Sequence, residues 1–228
     1  MSIRVFFRRI SQVNWFKTIW LNLTKLPFSQ GRRLPVIVCN HAVIKVHRGG
    51  VILDSQISFG MVVLGNQDIP TQDRSRKRMI IEIQKNGYLR IQGKTRIGGG
   101  VELLVTNGSE LVLGNDFYLS LNSTIYCHKR IVFGESCTIA WNVLIMDSDW
   151  HRTFDPTTKE CFPTTEPIVI GNHCWICNDV QIQKGTEIPD NVIVASKSLC
   201  NKKYDVPQYS LLAGIPAKLK KENIGYVR

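Results

Sequence analysis

Between residues 170 and 200 an aliphatic or small apolar side chain falls on every sixth position: Ile170, Ile176, Ile182, Ile188, Val194 and Cys200. Four residues after each of the first five comes a second small or apolar residue, namely Cys174, Val180, Thr186, Val192 and Ser198. The same step runs through Leu113, Leu119, Ile125 and Ile131, then resumes two residues out of phase at Phe133, Ile139 and Ile145. Ile91, Ile97 and Leu103 form an earlier, weaker stretch. A strand repeats every 2 residues and a helix every 3.6, so neither accounts for six. A short flat strand and a tight turn together use six, and three such sides close a triangular coil of about eighteen. Ile170 is then expected beneath Ile188, Ile176 beneath Val194 and Ile182 beneath Cys200. The pattern predicts a mainly β fold, a parallel β-helix whose core grows in one dimension by stacking coils. The pairs Gly114-Asn115 and Gly171-Asn172 read as corners suited to positive φ.

The rhythm stops between Ile145 and Ile170. The segment from Asp147-Ser148-Asp149-Trp150-His151 to Pro167 is polar and rich in turn formers. It reads as a loop, 147–167, extruded from one coil, and loops on rigid scaffolds commonly carry chemistry.

Composition adds a second region. The chain has 228 residues, 43% hydrophobic, with a net charge of +11. Residues 1–50 hold nine Lys/Arg and no Asp or Glu, so the remainder is near balance. Aromatic and Arg residues alternate in Val5-Phe6-Phe7-Arg8-Arg9-Ile10, and Trp15, Phe16, Ile19, Trp20 and Leu23 follow at roughly helical spacing. This predicts a basic amphipathic helix in 1–33, either lying on an anionic membrane face or packing its aromatic stripe against the main domain. The β-helix is assigned to 34–218 and a tail to 219–228. No apolar run approaches the ~20 residues of a membrane span. No cleavable signal pattern is seen, a mitochondrial transit peptide is the weaker reading of the acid-poor start, and nucleic acid lacks a motif. Seven irregularly spaced cysteines fit a reducing cytoplasm better than a disulfide framework.

From Ile168 to Lys218 the chain resembles the hexapeptide-repeat acyltransferase family, in particular its sugar and polysaccharide O-acetyltransferases. The motifs are Ile170-Gly171-Asn172-His173-Cys174-Trp175-Ile176, Val206-Pro207 and Ala213-Gly214-Ile215-Pro216-Ala217-Lys218. The repeat resemblance extends over about 50–218. It implies left-handed coils, against the usual right-handed crossover. It also implies acetyl-CoA as co-substrate, no metal, and a homotrimer whose active site lies between adjacent subunits. Residues 1–50 resemble the leader of polysaccharide-modifying members, while the small helical N-terminal domain of the maltose and galactoside enzymes is not evident. A peripheral position at the inner membrane face, where lipid-linked sugars are found, fits the basic leader.

The resemblance matches the family's catalytic histidine to His151. A neutral imidazole with a pKa near 6.5 is suited to take a proton from an attacking sugar hydroxyl. Asp147 and Asp149 are the candidates to orient it, and the sequence does not rank them. Asn142, Asn122 and Trp150 are candidates for the acceptor sugar, though Asn also suits a turn. Trp175 resembles the tryptophan lining the acyl-donor groove, and it also suits a subunit contact. Ser196, Asn201, Lys202 and Lys218 fall where relatives hold coenzyme A. Two departures bear on that channel: Cys177 stands where glycine is usual, and Ala195-Ser196-Lys197-Ser198 replaces a Gly-Ala-Gly-Ser run.

Cys174-Trp175-Ile176-Cys177 spells C-x-x-C, but the repeat accounts for Cys174 as an inward residue and Cys177 as a corner, and no second pair completes a zinc site. His128, His151 and His173 do not match the spacing of the zinc-binding β-helix carbonic anhydrases. Two other functions share the fold: acetylation of a small molecule such as an antibiotic or free sugar, and a non-catalytic scaffold or glycan-binding module.

Overall fold

The computed structural model describes residues 11–66 and 78–227. Strands wind through three faces in rotation. Face I holds β1 (Val36–Val38), β4 (Val62–Asn66), β7 (Thr95–Gly98), β10 (Phe117–Leu119), β13 (Thr138–Ile139), β16 (Trp175–Ile176), β19 (Ile193–Val194), β21 (Leu211–Gly214) and β22 (Ala217–Lys221). Face II holds β2 (Ala42–Val46), β5 (Met79–Ile83), β8 (Glu102–Val105), β11 (Thr124–Cys127), β14 (Leu144–Met146), β17 (Gln181–Gln183) and β20 (Leu199–Cys200). Face III holds β3 (Val51–Leu53), β6 (Tyr88–Ile91), β9 (Glu110–Leu113), β12 (Arg130–Phe133), β15 (Ile168–Ile170) and β18 (Glu187–Ile188). Within each face the strands pair in parallel, except the closing β21–β22 hairpin. The architecture is a left-handed parallel β-helix.

Register follows the six-step series. Ile170 stacks on Ile188, Ile176 on Val194 and Ile182 on Cys200, all buried and each eighteen positions apart. Cys174, Val180, Thr186, Val192 and Ser198 are also buried, as corner residues turned inward. Earlier coils are longer: Leu119 pairs with Ile139, twenty positions on, and Ile97 with Leu119, twenty-two on. The two-residue phase shift has a local cause. Ile131 and Phe133 both point into the core because side chains alternate along β12, and the longer corner between faces II and III, at 128–130, moves the series from one to the other. Where face III turns into face I, Phe133 meets Phe117 in the core with ring centroids 5.0 Å apart.

The corner glycines act differently from the sequence reading. The residues at positive φ are Asp116 and His173, each just after its Gly-Asn pair. Gly114 and Gly171 serve close approach instead: a Cβ on Gly114 would collide with the Gly134 carbonyl, and one on Gly171 with Asp190.

The first coil is closed by α1 (Trp15–Lys25) and the short α2 (Phe28–Gly31). Asn14 caps α1 by accepting the Lys17 N–H at 2.9 Å. Among the described residues β1 pairs with a named strand, β4, on one side only, and α1 side chains serve its other edge. Asn22 donates Nδ2 to the Val36 carbonyl at 2.6 Å and accepts the Val36 N–H at 3.1 Å, while Thr18 Oγ1 accepts the Val38 N–H at 3.0 Å. Leu21 fills the end of the core. The aromatic stripe does not pack inward: Trp15, Phe16, Ile19 and Leu23 are exposed, and only Trp20 is partly buried against the core. The Val5–Ile10 part of the amphipathic reading lies outside the described residues. No described helix is long and apolar enough to cross a membrane.

Candidate active site

Parallel stacking puts residues one before the inward aliphatics in a column on the outside of face I. Tyr118 pairs with Thr138, and Thr138 with Trp175. These three, with Trp141, Cys177 and Ser196, line a groove of about 480 Å³. Ser196 Oγ is 2.7 Å from Asn178 Oδ1, which fixes the corner at that wall. Beyond Trp175 the chain end folds back: the Tyr226 ring stacks on His173 at 4.6 Å, lies 5.5 Å from Trp175, and donates its hydroxyl to the Ser136 carbonyl at 3.1 Å. Burial raises the Cys177 thiol pKa, so this side chain enters the groove as a neutral thiol.

The groove unites Trp175 and Ser196 among the residues singled out from sequence. Asn201 and Lys202 are exposed at the corner between faces II and III, where the Lys202 ammonium sits 5.6 Å over the Tyr204 ring. Lys218 is exposed on β22, which continues to Lys221, past the boundary drawn at 218. These three do not line the groove within one chain.

His151 rises from the corner between faces II and III, on another edge of the prism. The extruded loop is a ladder of its own. Ser148 bridges Thr165, Phe154 bridges Cys161, and Asp149 donates its N–H to the Thr164 carbonyl at 3.0 Å. Trp150 sits at φ 63°, an unusual region for a bulky residue. That twist turns its ring back onto the prism, 4.5 Å from His128 and 5.9 Å from Tyr126 between ring centroids, with Nε1 2.8 Å from Met146 Sδ. His151, the next residue, is left exposed, and its imidazole makes no hydrogen bond to the described residues.

Neither carboxylate proposed to orient His151 does so in the chain. Asp147 is fully buried and accepts the backbone N–H groups of His128, Lys129 and Arg130 at 2.7, 2.9 and 2.8 Å. It holds the enlarged corner together, because three inward-facing donors there have no strand partner. Asp149 is ion-paired with Lys184 at 2.6 Å, which moors the loop to the following coil, and Lys184 also donates to the Pro163 carbonyl. The Asp149 main-chain carbonyl accepts the His151 N–H at 2.7 Å.

Asn122 and Asn142 occupy equivalent corners between faces I and II at φ 57° and 58°, followed by Asp179 and Lys197 at 58° and 60°. Asn142 Nδ2 donates to Asp179 Oδ1 at 3.2 Å. Their positions meet the left-handed demand of each corner, for which Asn is well suited. Trp141, beside Asn142, was missed from sequence; its signal is a large aromatic at a corner where small residues prevail. Cys174 and Cys177 point to opposite sides of the wall, one into the core and one into the groove. Among the described residues no cluster of three His, Cys, Asp or Glu has the geometry of a metal site.

The chain is 30% identical over 142 residues to polysialic acid O-acetyltransferase of Escherichia coli O1:K1 / APEC, covering 62% of this chain and 45% of that one. It is 31% identical over 115 residues to galactoside O-acetyltransferase of Escherichia coli strain K12, covering 50% and 55%. Both of these relatives are sugar O-acetyltransferases by name. The chain spans about half the length of the curated relatives it matches. The crystal structure of the polySia-specific acetyltransferase NeuO superposes with a TM-score of 0.56 at 23% identity, covering 85% of this chain and 89% of that one, and so shares the fold. No family profile matches the chain.

Proposed function

We propose that the protein is an O-acetyltransferase that moves an acetyl group from acetyl-CoA to a hydroxyl of a cell-surface polysaccharide, its lipid-linked precursor or a related sugar. The observation that carries the reading is the division of the machinery between two edges of the prism. An exposed imidazole, with no hydrogen bond to the described residues, stands on the extruded loop, and an aromatic-lined groove opens on face I. The homology to sugar O-acetyltransferases supports the chemistry assigned to each.

His151 is the general base. Its neutral imidazole takes the proton of the acceptor hydroxyl as the oxygen attacks the thioester carbonyl. The tetrahedral oxyanion is stabilised by a hydrogen-bond donor, most simply a backbone N–H, and collapse breaks the carbon–sulfur bond. The imidazolium then returns the proton to the departing thiolate, so charge and atoms balance without an acyl-enzyme. Trp175 and Ser196 hold the donor, with Asn201, Lys202 and Lys218 near its phosphates. Asn122, Asn142 and Trp150 are the acceptor candidates. With His151 and the groove on separate edges, a complete site calls for a neighbouring chain, which is the reason to propose a homotrimer. A peripheral position at the inner membrane face belongs to the same reading.

The test is His151→Ala, assayed with acetyl-CoA and a panel of glycans. Transfer is expected to fall roughly 10²–10⁴-fold with acetyl-CoA binding retained. Unchanged transfer removes His151 as the base. A wild-type protein that binds no acyl-CoA overturns the enzyme reading in favour of a scaffold.

A further inference from the structure

α1 is amphipathic the wrong way round. A surface helix ordinarily turns its apolar stripe to the core and its polar side to water. Here Thr18 and Asn22 are fully buried because β1 needs their hydrogen bonds, and the large apolar contacts of α1 with the core are Leu21, fully buried, and Trp20, partly buried. The apolar stripe therefore faces out. Trp15, Phe16, Ile19 and Leu23 fall on one side of the helix and are 42%, 81%, 45% and 44% exposed, and Phe28 on α2 is 71% exposed.

Charge selects what covers this face. No Asp or Glu precedes Asp54 in the chain. Lys17 reaches the Ala42 carbonyl at 2.5 Å and Lys25 lies 5.0 Å over the Trp20 ring, so cations border the stripe. Arg32 and Arg33 follow directly after α2. A second copy meeting this face with its own would bring together two acid-free basic surfaces, which repel. Aromatic and aliphatic side chains rimmed by cations match the boundary between acyl chains and anionic headgroups.

We propose that the outward face of α1, with Phe28, docks on an anionic lipid bilayer. The docking gives the peripheral location its residues and its lipid chemistry, and it does not depend on the acetyl-transfer reading. The experiment uses the full-length protein and vesicles of phosphatidylcholine alone or mixed equally with phosphatidylglycerol, separated by sedimentation. The wild type is expected to sediment with the anionic vesicles, far less with the neutral ones, and less again as salt screens the charge. The exposed double variant Phe16→Ser/Ile19→Ser, checked by an unchanged unfolding midpoint, is expected to partition at least about tenfold more weakly. Its acetyl transfer to a soluble acceptor stays at the wild-type level, so failure of docking and failure of the enzyme reading are told apart. Wild-type protein left in the supernatant, or a double variant bound as well as wild type, overturns the proposal. So does an oligomer that the double variant dissociates while vesicles are ignored, since a second copy then covers the face. Binding that appears only when residues 1–10 are deleted overturns it too, by showing that the chain's own start occupies the stripe.

Discussion

The Asp147 carboxylate accepts the His128 backbone N–H at 2.7 Å, while the His128 Nδ1 stands 3.9 Å from the same oxygen. The corner that carries the extruded loop is thus built around one buried anion rather than around strand pairing. Asp147→Ala leaves three part-buried N–H groups without this acceptor and is expected to lower stability by about 3–5 kcal/mol. Asp147→Asn keeps one acceptor oxygen and should cost less. Denaturant midpoints of the two variants against wild type check the order.

Trp175 forms the centre of the groove wall. Trp175→Ala is expected to raise KM for acetyl-CoA by roughly tenfold, the scale of a lost aromatic contact, with a smaller change in kcat. Steady-state kinetics with the donor varied decide it, and an unchanged KM would remove Trp175 from the donor site.

Cys161 is exposed and Cys177 half-buried, whereas Cys39, Cys127, Cys137, Cys174 and Cys200 are buried. A thiol reagent added to the folded protein is therefore expected to label Cys161 quickly, Cys177 slowly, and the other five only after unfolding. Peptide mapping of the labelled sites reads the order. Fast labelling of Cys174 would contradict its place inside the wall.

Burial pushes the Cys127 thiol up to about 12, with Asp147 adding to the rise, and the Cys200 thiol up to about 11. Such a thiol stays protonated in the folded chain above pH 9, where the unfolded chain gives up its proton. The unfolded state then binds fewer protons, so stability is whole below pH 9 and falls as pH rises towards 11 and 12. Unfolding midpoints between pH 8 and 11 are expected to drop, and less steeply in Cys200→Ala.

The core was legible because a geometric period leaves a mark at every turn. Ile170, Ile176 and Ile182 found their partners eighteen positions on, and even the slip from Ile131 to Phe133 recorded a real enlargement of one corner. The groove was half legible. Tyr118, Thr138 and Trp175 each precede an inward aliphatic, so stacking the outward neighbours would have assembled the column. Asp147 was opaque: a loop-edge aspartate beside His151 in sequence looks like an orienting carboxylate, and only the fold reveals the three N–H groups at 128–130. The outward turn of the α1 stripe was equally hidden, since nothing local says that the β1 edge draws Thr18 and Asn22 inward.

On face I the strand order from β1 to β16 crosses five inter-strand steps, roughly 24 Å at the usual spacing of about 4.8 Å. The stacked coils therefore act as a spacer of fixed height between the helical cap and Trp175. Splicing in one more coil would lift the face I groove by about 5 Å without altering its walls, so the length of the prism sets the distance between that groove and any surface on which the cap rests.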